Sequence, residues 1–238
     1  MINFKIINKI IGALLFIEAT LMSLCLVMAI YFGEDDIFPF TISVVVTIFG
    51  GIVFRYFGYG AENILTRRDS FLVVTSVWII FSAFGTIPFL LGGYLHSFTD
   101  AFFENMSGFT TTGATIIDDV EALPHGILFW RSLTHWIGGL GIVFFTVALL
   151  PSLVGGSTKV FAAEATGPIK TRLHPKLSMG ARWIWMVYFV ITFGCMAGYM
   201  IFGMNWFEGI NYAMSTAATG GFSIYNHSTE SFASPALD

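Results

Sequence analysis

Charge is what this chain has least of. Of its 238 residues only 11% are Asp, Glu, Lys or Arg, while 55% are hydrophobic and the mean hydropathy is +0.77. A soluble domain carries roughly 25% charged residues, so the composition excludes one and indicates an integral membrane protein. Cysteine is almost missing: Cys25 and Cys195 both lie in apolar stretches, which reads as two buried thiols and not a disulfide, and no metal-ligand spacing is present. No Ser/His/Asp set, paired-carboxylate constellation or nucleotide-binding motif stands out, so no enzyme, organic cofactor or nucleic-acid partner is expected. The N-terminal apolar run does not read as a cleavable leader either. The apolar run 10–32 exceeds the about 7–15 residues of a secretory signal and has no Ala-x-Ala site, so it reads as a retained first span. What is abundant is phenylalanine, 26 residues, which suits lipid-facing and helix-packing surfaces.

Five segments approach the ~20 residues that a bilayer requires: 7–32, 38–59, 71–93, 126–153 and 183–203. Two further apolar pieces, 99–109 and 206–217, are too short to span and read as re-entrant half-helices. Ten of the eleven Lys and Arg residues fall on one side of this scheme, with Arg131 the exception. By the positive-inside rule that side, with the N-terminus, is cytoplasmic, and both short pieces enter from outside. Acidic residues show the opposite bias, eleven of fifteen lying on or near the outer side, including Glu34, Asp36, Asp118, Asp119 and Glu208. A negative mouth concentrates cations, although any one of these residues reads equally well as ordinary solvated loop.

Each short piece runs into a small, polar, glycine-bearing stretch: Ser107-Gly108-Phe109-Thr110-Thr111-Thr112-Gly113-Ala114-Thr115, and later Ser215-Thr216-Ala217-Ala218-Thr219-Gly220-Gly221-Phe222. Irregular backbone at membrane depth must line protein or a water-filled path, because lipid cannot satisfy its N–H and C=O groups. Matching Thr112-Gly113 to Thr219-Gly220 sets the two copies 107 residues apart, entered from the same side, as parallel repeats. A half-helix pointing inward brings its partially negative carbonyl end to the membrane centre. Gly113 and Gly220 are free to adopt positive φ and turn successive carbonyls toward one axis, where such oxygens replace the water shell of an ion. The competing reading is two outer loops, each with a tight glycine turn and a helix cap.

These stretches, with Phe102-Phe103-Glu104, Arg131-Ser132-Leu133, Trp136-Ile137-Gly138-Gly139-Leu140-Gly141-Ile142 and Leu150-Pro151, resemble the Trk/Ktr/HKT superfamily of potassium transporters, most closely its bacterial TrkH/TrkG type. The resemblance covers essentially the whole chain. It implies an all-α membrane fold of span–re-entrant helix–filter–span units, as in potassium channels, preceded by two extra spans. On that plan 1–66 holds two accessory helices, 67–154 the first pore repeat, 155–181 a cytoplasmic connector, and 182–238 a second repeat without its closing span. Repeats three and four would be absent, so a piece of a longer chain is expected, or a ring completed by a separately supplied half. The family's gating loop belongs to the third repeat, so no gate is assigned.

The resemblance further implies K+ uptake across the bacterial inner membrane, a homodimer, and a cytosolic nucleotide-binding, TrkA-like regulatory subunit, for which the basic stretch 170–182 is a candidate contact. Expected K+ ligands are the backbone carbonyls of Thr111, Thr112, Gly113, Ala218, Thr219 and Gly220, with Ala114 and Gly221 adjacent. Neither loop has the tyrosine of a strict Thr-Val-Gly-Tyr-Gly filter. Na+-coupled or Na+-permeable transport, and an accessory subunit without its own pore, remain open alternatives. Arg131, a cation early in a span, is expensive unless paired. Glu104 is the expected partner in a structural brace, against an Arg131 that snorkels to the outer interface. His135 reads as a packed or interfacial histidine before a proton-coupling one. Glu18 reads as a helix-packing residue or one facing a water-accessible pocket. Gly138, Gly139 and Gly141 would let a neighbouring helix approach closely.

Overall fold

A computed structural model describes residues 2–62, 67–149 and 177–232, and every described regular element is helical. The helices, in chain order, are α1 (Phe4–Phe32), α2 (Ile37–Phe57), α3 (Arg67–Gly85), α4 (Ile87–Leu91), α5 (Phe98–Phe109), α6 (His125–Leu149), α7 (Leu177–Ile201) and α8 (Trp206–Ala217), followed by a short 3-10 turn at Ser228–Phe232. Four segments among the described residues are long and apolar enough to cross a bilayer: Phe4–Phe32, Ile37–Phe57, Phe71–Leu91 and Trp183–Ile201. The fifth expected span falls on α6. Most of the expected connector, 155–181, and the first seven residues of the basic stretch 170–182 lie outside the described residues, so the topology argument from their charges rests on sequence.

The third expected span, 71–93, is two helices and not one. Pro88 lacks an N–H and its ring crowds the carbonyl of the preceding turn, so α3 ends at Gly85 and α4 restarts with the proline in its first turn. α1 and α2 form a close antiparallel pair. A Cβ at Gly12 would strike the backbone of Gly51 and Arg55, and one at Gly58 would strike that of Lys9. Without side chains at those positions the two backbones pack directly, as small residues allow in membranes. The Asn3 side chain caps α1 by accepting from the Ile6 N–H at 3.3 Å, and the Asn3 N–H reaches Asp69 of α3 at 3.0 Å.

α6 is the hub, packing against α1, α3, α5, α7 and α8. Its start is held by the α1–α2 loop. Glu34 accepts from the His125 N–H at 2.6 Å and lies 2.7 Å from His125 Nδ1, so a carboxylate occupies the N-terminus of the helix dipole. Phe32 stacks on the His125 ring at 3.8 Å and meets Trp206 and Phe207 of α8, joining the ends of three helices in one aromatic cluster. At its other end α6 bends where Gly141 takes φ 67° and ψ 136°. Only glycine adopts that geometry cheaply.

Asp36, beside Glu34, is fully buried against Gly126. Burial, and then the charge of Glu34, push its carboxyl from an ordinary 3.8 up to about 6. The folded state therefore favours the neutral carboxyl. Its contribution to stability is complete below 3.8 and is lost as pH rises through about 6. Melting in detergent is expected to drop more steeply across that interval in the wild type than in Asp36→Asn, and parallel curves would refute the assignment.

Candidate functional site

Two short helices end in the same way. In α5, Thr110 N–H donates to Met106 O at 2.9 Å, Thr111 N–H to Gly108 O at 3.0 Å, and Thr112 N–H to Ser107 O at 3.0 Å. In α8, Ala218 N–H donates to Met214 O at 3.2 Å, Thr219 N–H to Thr216 O at 3.0 Å, and Gly220 N–H to Ser215 O at 2.9 Å. The long bond that closes each set is the Schellman signature, which requires a left-handed residue just past the helix. That residue is Thr111 at φ 55° in one copy and Thr219 at φ 54° in the other. A β-branched side chain at positive φ is a true outlier, worth of order 1–3 kcal/mol of strain, and here it occurs twice at equivalent positions. Two residues on, Gly113 and Gly221 take φ 74° and 103°.

These bonds correct the expected pairing of the loops. Helix ends, left-handed threonines and positive-φ glycines all match at a separation of 108 residues (219 − 111), not 107. Gly220 is not among the positive-φ residues; Gly221 is. A sequence match aligns the Thr-Gly dipeptides, whereas the chain counts from the end of the helix, and the second loop carries two glycines in succession. The counterparts of Thr111, Thr112 and Gly113 are thus Thr219, Gly220 and Gly221. Ala218 is the C-cap of α8, equivalent to Thr110.

The loops meet one another, and α6 lies behind both. A Cβ on Gly113 would collide with the carbonyl oxygen of Gly220, so the two backbones touch there. On α6, a Cβ at Gly138 would strike Phe109 O at the end of α5, and one at Gly139 would strike Ala218 at the end of α8. Successive helical residues point about 100° apart, so adjacent glycines admit two different neighbours. The close approach read from this glycine run is to the loops themselves.

Arg131, one helical segment earlier on α6, touches both loops. Its Nε lies 2.9 Å from Glu104 Oε1, with both side chains almost fully buried. Nη1 donates to Ser223 O at 2.9 Å, Nη2 to Thr115 Oγ1 at 3.3 Å, and the guanidinium lies over the Phe222 ring at 4.3 Å. Glu104 also accepts from the Thr115 hydroxyl at 3.0 Å and from the Ile116 N–H at 3.0 Å. At this depth a charge is tolerable only when paired and hydrogen-bonded, and both conditions are met. Snorkelling is not observed.

The 108-residue relation puts Tyr212 of α8 in the place of Glu104, and Tyr212 OH lies 2.7 Å from Ser223 Oγ just as Glu104 holds Thr115. Ile117 and Tyr225, again equivalent, donate their N–H groups to Thr115 Oγ1 and Ser223 Oγ at 3.2 and 3.0 Å. Beyond the loops Asn226 clasps the segment between the first loop and α6, accepting from Val120 N–H at 2.8 Å and donating to Asp119 Oδ1 at 2.9 Å. Tyr212, Ser223 and Asn226 are not singled out by sequence. Only the corrected register exposes Tyr212, because tyrosine and glutamate share no pattern.

His135 is packed, fully buried and stacked on Phe222 at 4.0 Å. Glu18 is fully buried in α1 and has no hydrogen-bond partner among the described residues. Among the described residues no group of His, Cys, Asp or Glu side chains is arranged to hold a metal. What the site offers a cation is backbone oxygen, and the second loop lines a cleft of about 360 Å3 together with Tyr199, Tyr212 and Ser228.

Removing one partner of the buried pair should be costly. Arg131→Met strands the Glu104 carboxylate and is expected to destabilise the protein by about 3 kcal/mol or more. Glu104→Gln combined with Arg131→Met should cost less than the two single changes added together. Thermal unfolding in detergent measures both, and strictly additive losses would dissolve the pair.

Comparison with known proteins is consistent from one measure to the next. A family model described as "TrkH: Cation transport protein" matches residues 35–237. The Trk system potassium uptake protein TrkH of Halomonas elongata is 35% identical over 99% of this chain and 49% of its own length. Trk system potassium uptake protein TrkG of Escherichia coli is 36% identical over 94% of this chain and 47% of its own. The crystal structure of the potassium transporter TrkH from Vibrio parahaemolyticus superimposes with a TM-score of 0.82 at 33% identity, covering 99% of this chain and 47% of that one. The chain thus spans about half the length of the relatives it matches. Left-handed threonines at two helix ends, the braced loops and these matches lead to one assignment: this multi-pass membrane chain belongs to the TrkH cation transport protein family.

Proposed function

We propose that the complete protein carrying this chain takes up K+ across the bacterial inner membrane, through a filter to which the two loops contribute backbone carbonyls. The observation that carries this reading is the paired left-handed turn at Thr111 and Thr219, each at the carbonyl end of a short helix. Strain maintained at two equivalent positions points to function. The relatives named for potassium uptake support the choice of ion.

The ligands in this reading are the carbonyls of Thr111, Thr112 and Gly113 and, in the 108-residue register, Thr219, Gly220 and Gly221. Ala114 follows the first set, and Ala218 is left at the helix cap. Segments 67–154 and 182–238 are read as parts of two pore repeats behind two accessory helices in 1–66, with 155–181 as the connector between them. With the N-terminus in the cytoplasm, the loops face an acidic outer mouth and K+ enters down the membrane potential. That potential supplies ~2.3 kcal/mol per charge per 100 mV, enough to drive accumulation without a second substrate. No residue takes a catalytic role. A homodimer and a cytosolic nucleotide-binding, TrkA-like subunit are the partners this reading includes.

The test is growth on low K+ of a bacterium stripped of its own uptake systems. The complete protein is expected to restore growth; its presence in the membrane without rescue would overturn the proposal. Gly113→Ser forces a side chain against the Gly220 carbonyl at φ 74°. It is expected to lower K+ preference over Na+ by about tenfold, the equivalent of ~1.4 kcal/mol, and unchanged competition by Na+ would remove the first loop from the filter.

A further inference from the structure

His135 stands behind the second loop, on the face of α6 one turn beyond Arg131. A Cβ on Gly220 would run into its ring, so the loop backbone lies flat against the imidazole. The Phe222 N–H approaches Nδ1 at 3.4 Å. Ser215 Oγ lies 3.3 Å from the same nitrogen and itself accepts from the Gly221 N–H at 3.0 Å. A backbone N–H only donates, so Nδ1 is an acceptor. The Ser215 hydroxyl, already accepting from Gly221, has its own proton free to donate to Nδ1. The two donors therefore share the single lone pair of Nδ1, which selects the neutral imidazole with its proton on Nε2, a buried atom with no hydrogen-bond partner among the described residues.

These two bonds hold two consecutive amides, one directly and one through the serine. Each peptide is planar and trans, so its carbonyl points opposite its N–H, and the chain has no cis peptide among the described residues. The Gly221 N–H shares a peptide plane with the Gly220 carbonyl, and the Phe222 N–H shares one with the Gly221 carbonyl. The Gly221 N–H turns toward Ser215 of α8 and the Phe222 N–H toward His135 of α6, so both carbonyls point away from those side chains. The Gly220 oxygen does point at the first loop, where it closes on Gly113. In the first loop the equivalent serine, Ser107, has no hydrogen-bond partner for its hydroxyl among the described residues, so this arrangement belongs to the second loop alone there.

We infer that His135 is a specificity-determining positioning residue: as a neutral acceptor it orients the Gly220 and Gly221 carbonyls, directly through Phe222 N–H and by relay through Ser215. This rests on the uptake reading above, in which those carbonyls contact K+. His135 itself touches no ion.

The experiment compares His135→Leu, which fills the space without an acceptor, with His135→Asn, whose Oδ1 falls where Nδ1 was. Each is made in the complete protein and assayed in the uptake-deficient bacterium for Na+ competition against K+ uptake. The leucine variant is expected to lose about fivefold to tenfold in K+ preference, the scale of one or two lost hydrogen bonds, while the asparagine variant stays within about twofold of wild type. Wild-type preference in the leucine variant, or equal loss in both, overturns the inference. If the leucine variant does not reach the membrane, Ser215→Ala decides, since it cuts only the relay to Gly221: reduced K+ preference supports the inference, and unchanged preference overturns it. A wild-type protein without K+ uptake would instead bring down the uptake reading, and this inference with it.

Discussion

A guanidinium buried among helices has to be surrounded by acceptors, and the way Arg131 meets that demand organises the molecule. Its carboxylate comes from α5, its carbonyl from Ser223 in the second loop, and its ring contact from Phe222. Satisfying one charge therefore ties α5 and α6 to a loop 92 residues beyond Arg131. The same low-polarity surroundings that make an unpaired Arg131 intolerable make the paired one a rigid post between the loops.

Around that post the loops are positioned by absence as much as by contact. Gly138 and Gly139 bring α6 against the ends of α5 and α8, and Gly113 brings the two loops together. Close packing then allows Thr111 and Thr219 to stay in left-handed conformations that an isolated peptide would abandon. The strain is local, while the bonds holding it are distributed over both helix ends and α6.

The two copies share geometry without sharing chemistry. A carboxylate secures the first loop through Thr115, and a phenol secures the second through Ser223. His135 and Ser215 support amides in the second loop, whereas the Ser107 hydroxyl has no hydrogen-bond partner among the described residues. Equivalent backbones held by different side chains are what a single chain can build and a symmetric tetramer cannot. Each loop can then be adjusted separately.

Composition and the lengths of the apolar runs determined by themselves that this is a helical membrane protein, because a bilayer sets both how much charge is tolerable and how long a span must be. The short helices at 99–109 and 206–217 were legible too, found at Phe98–Phe109 and Trp206–Ala217, since length alone separates them from spans. So was the pair Glu104 and Arg131, because an intramembrane cation demands an acid. The register of the second loop was not legible. Sequence matches residue names, and backbone conformation counts from the helix end, which moved the equivalence from Gly220 to Gly221. Nor were the reach of Arg131 to Ser223, 92 residues away, and the seat of His135 beneath Phe222. Such contacts depend on how helices dock, and docking is decided by the joint shape of surfaces distant in the chain, which periodicity within one helix does not record.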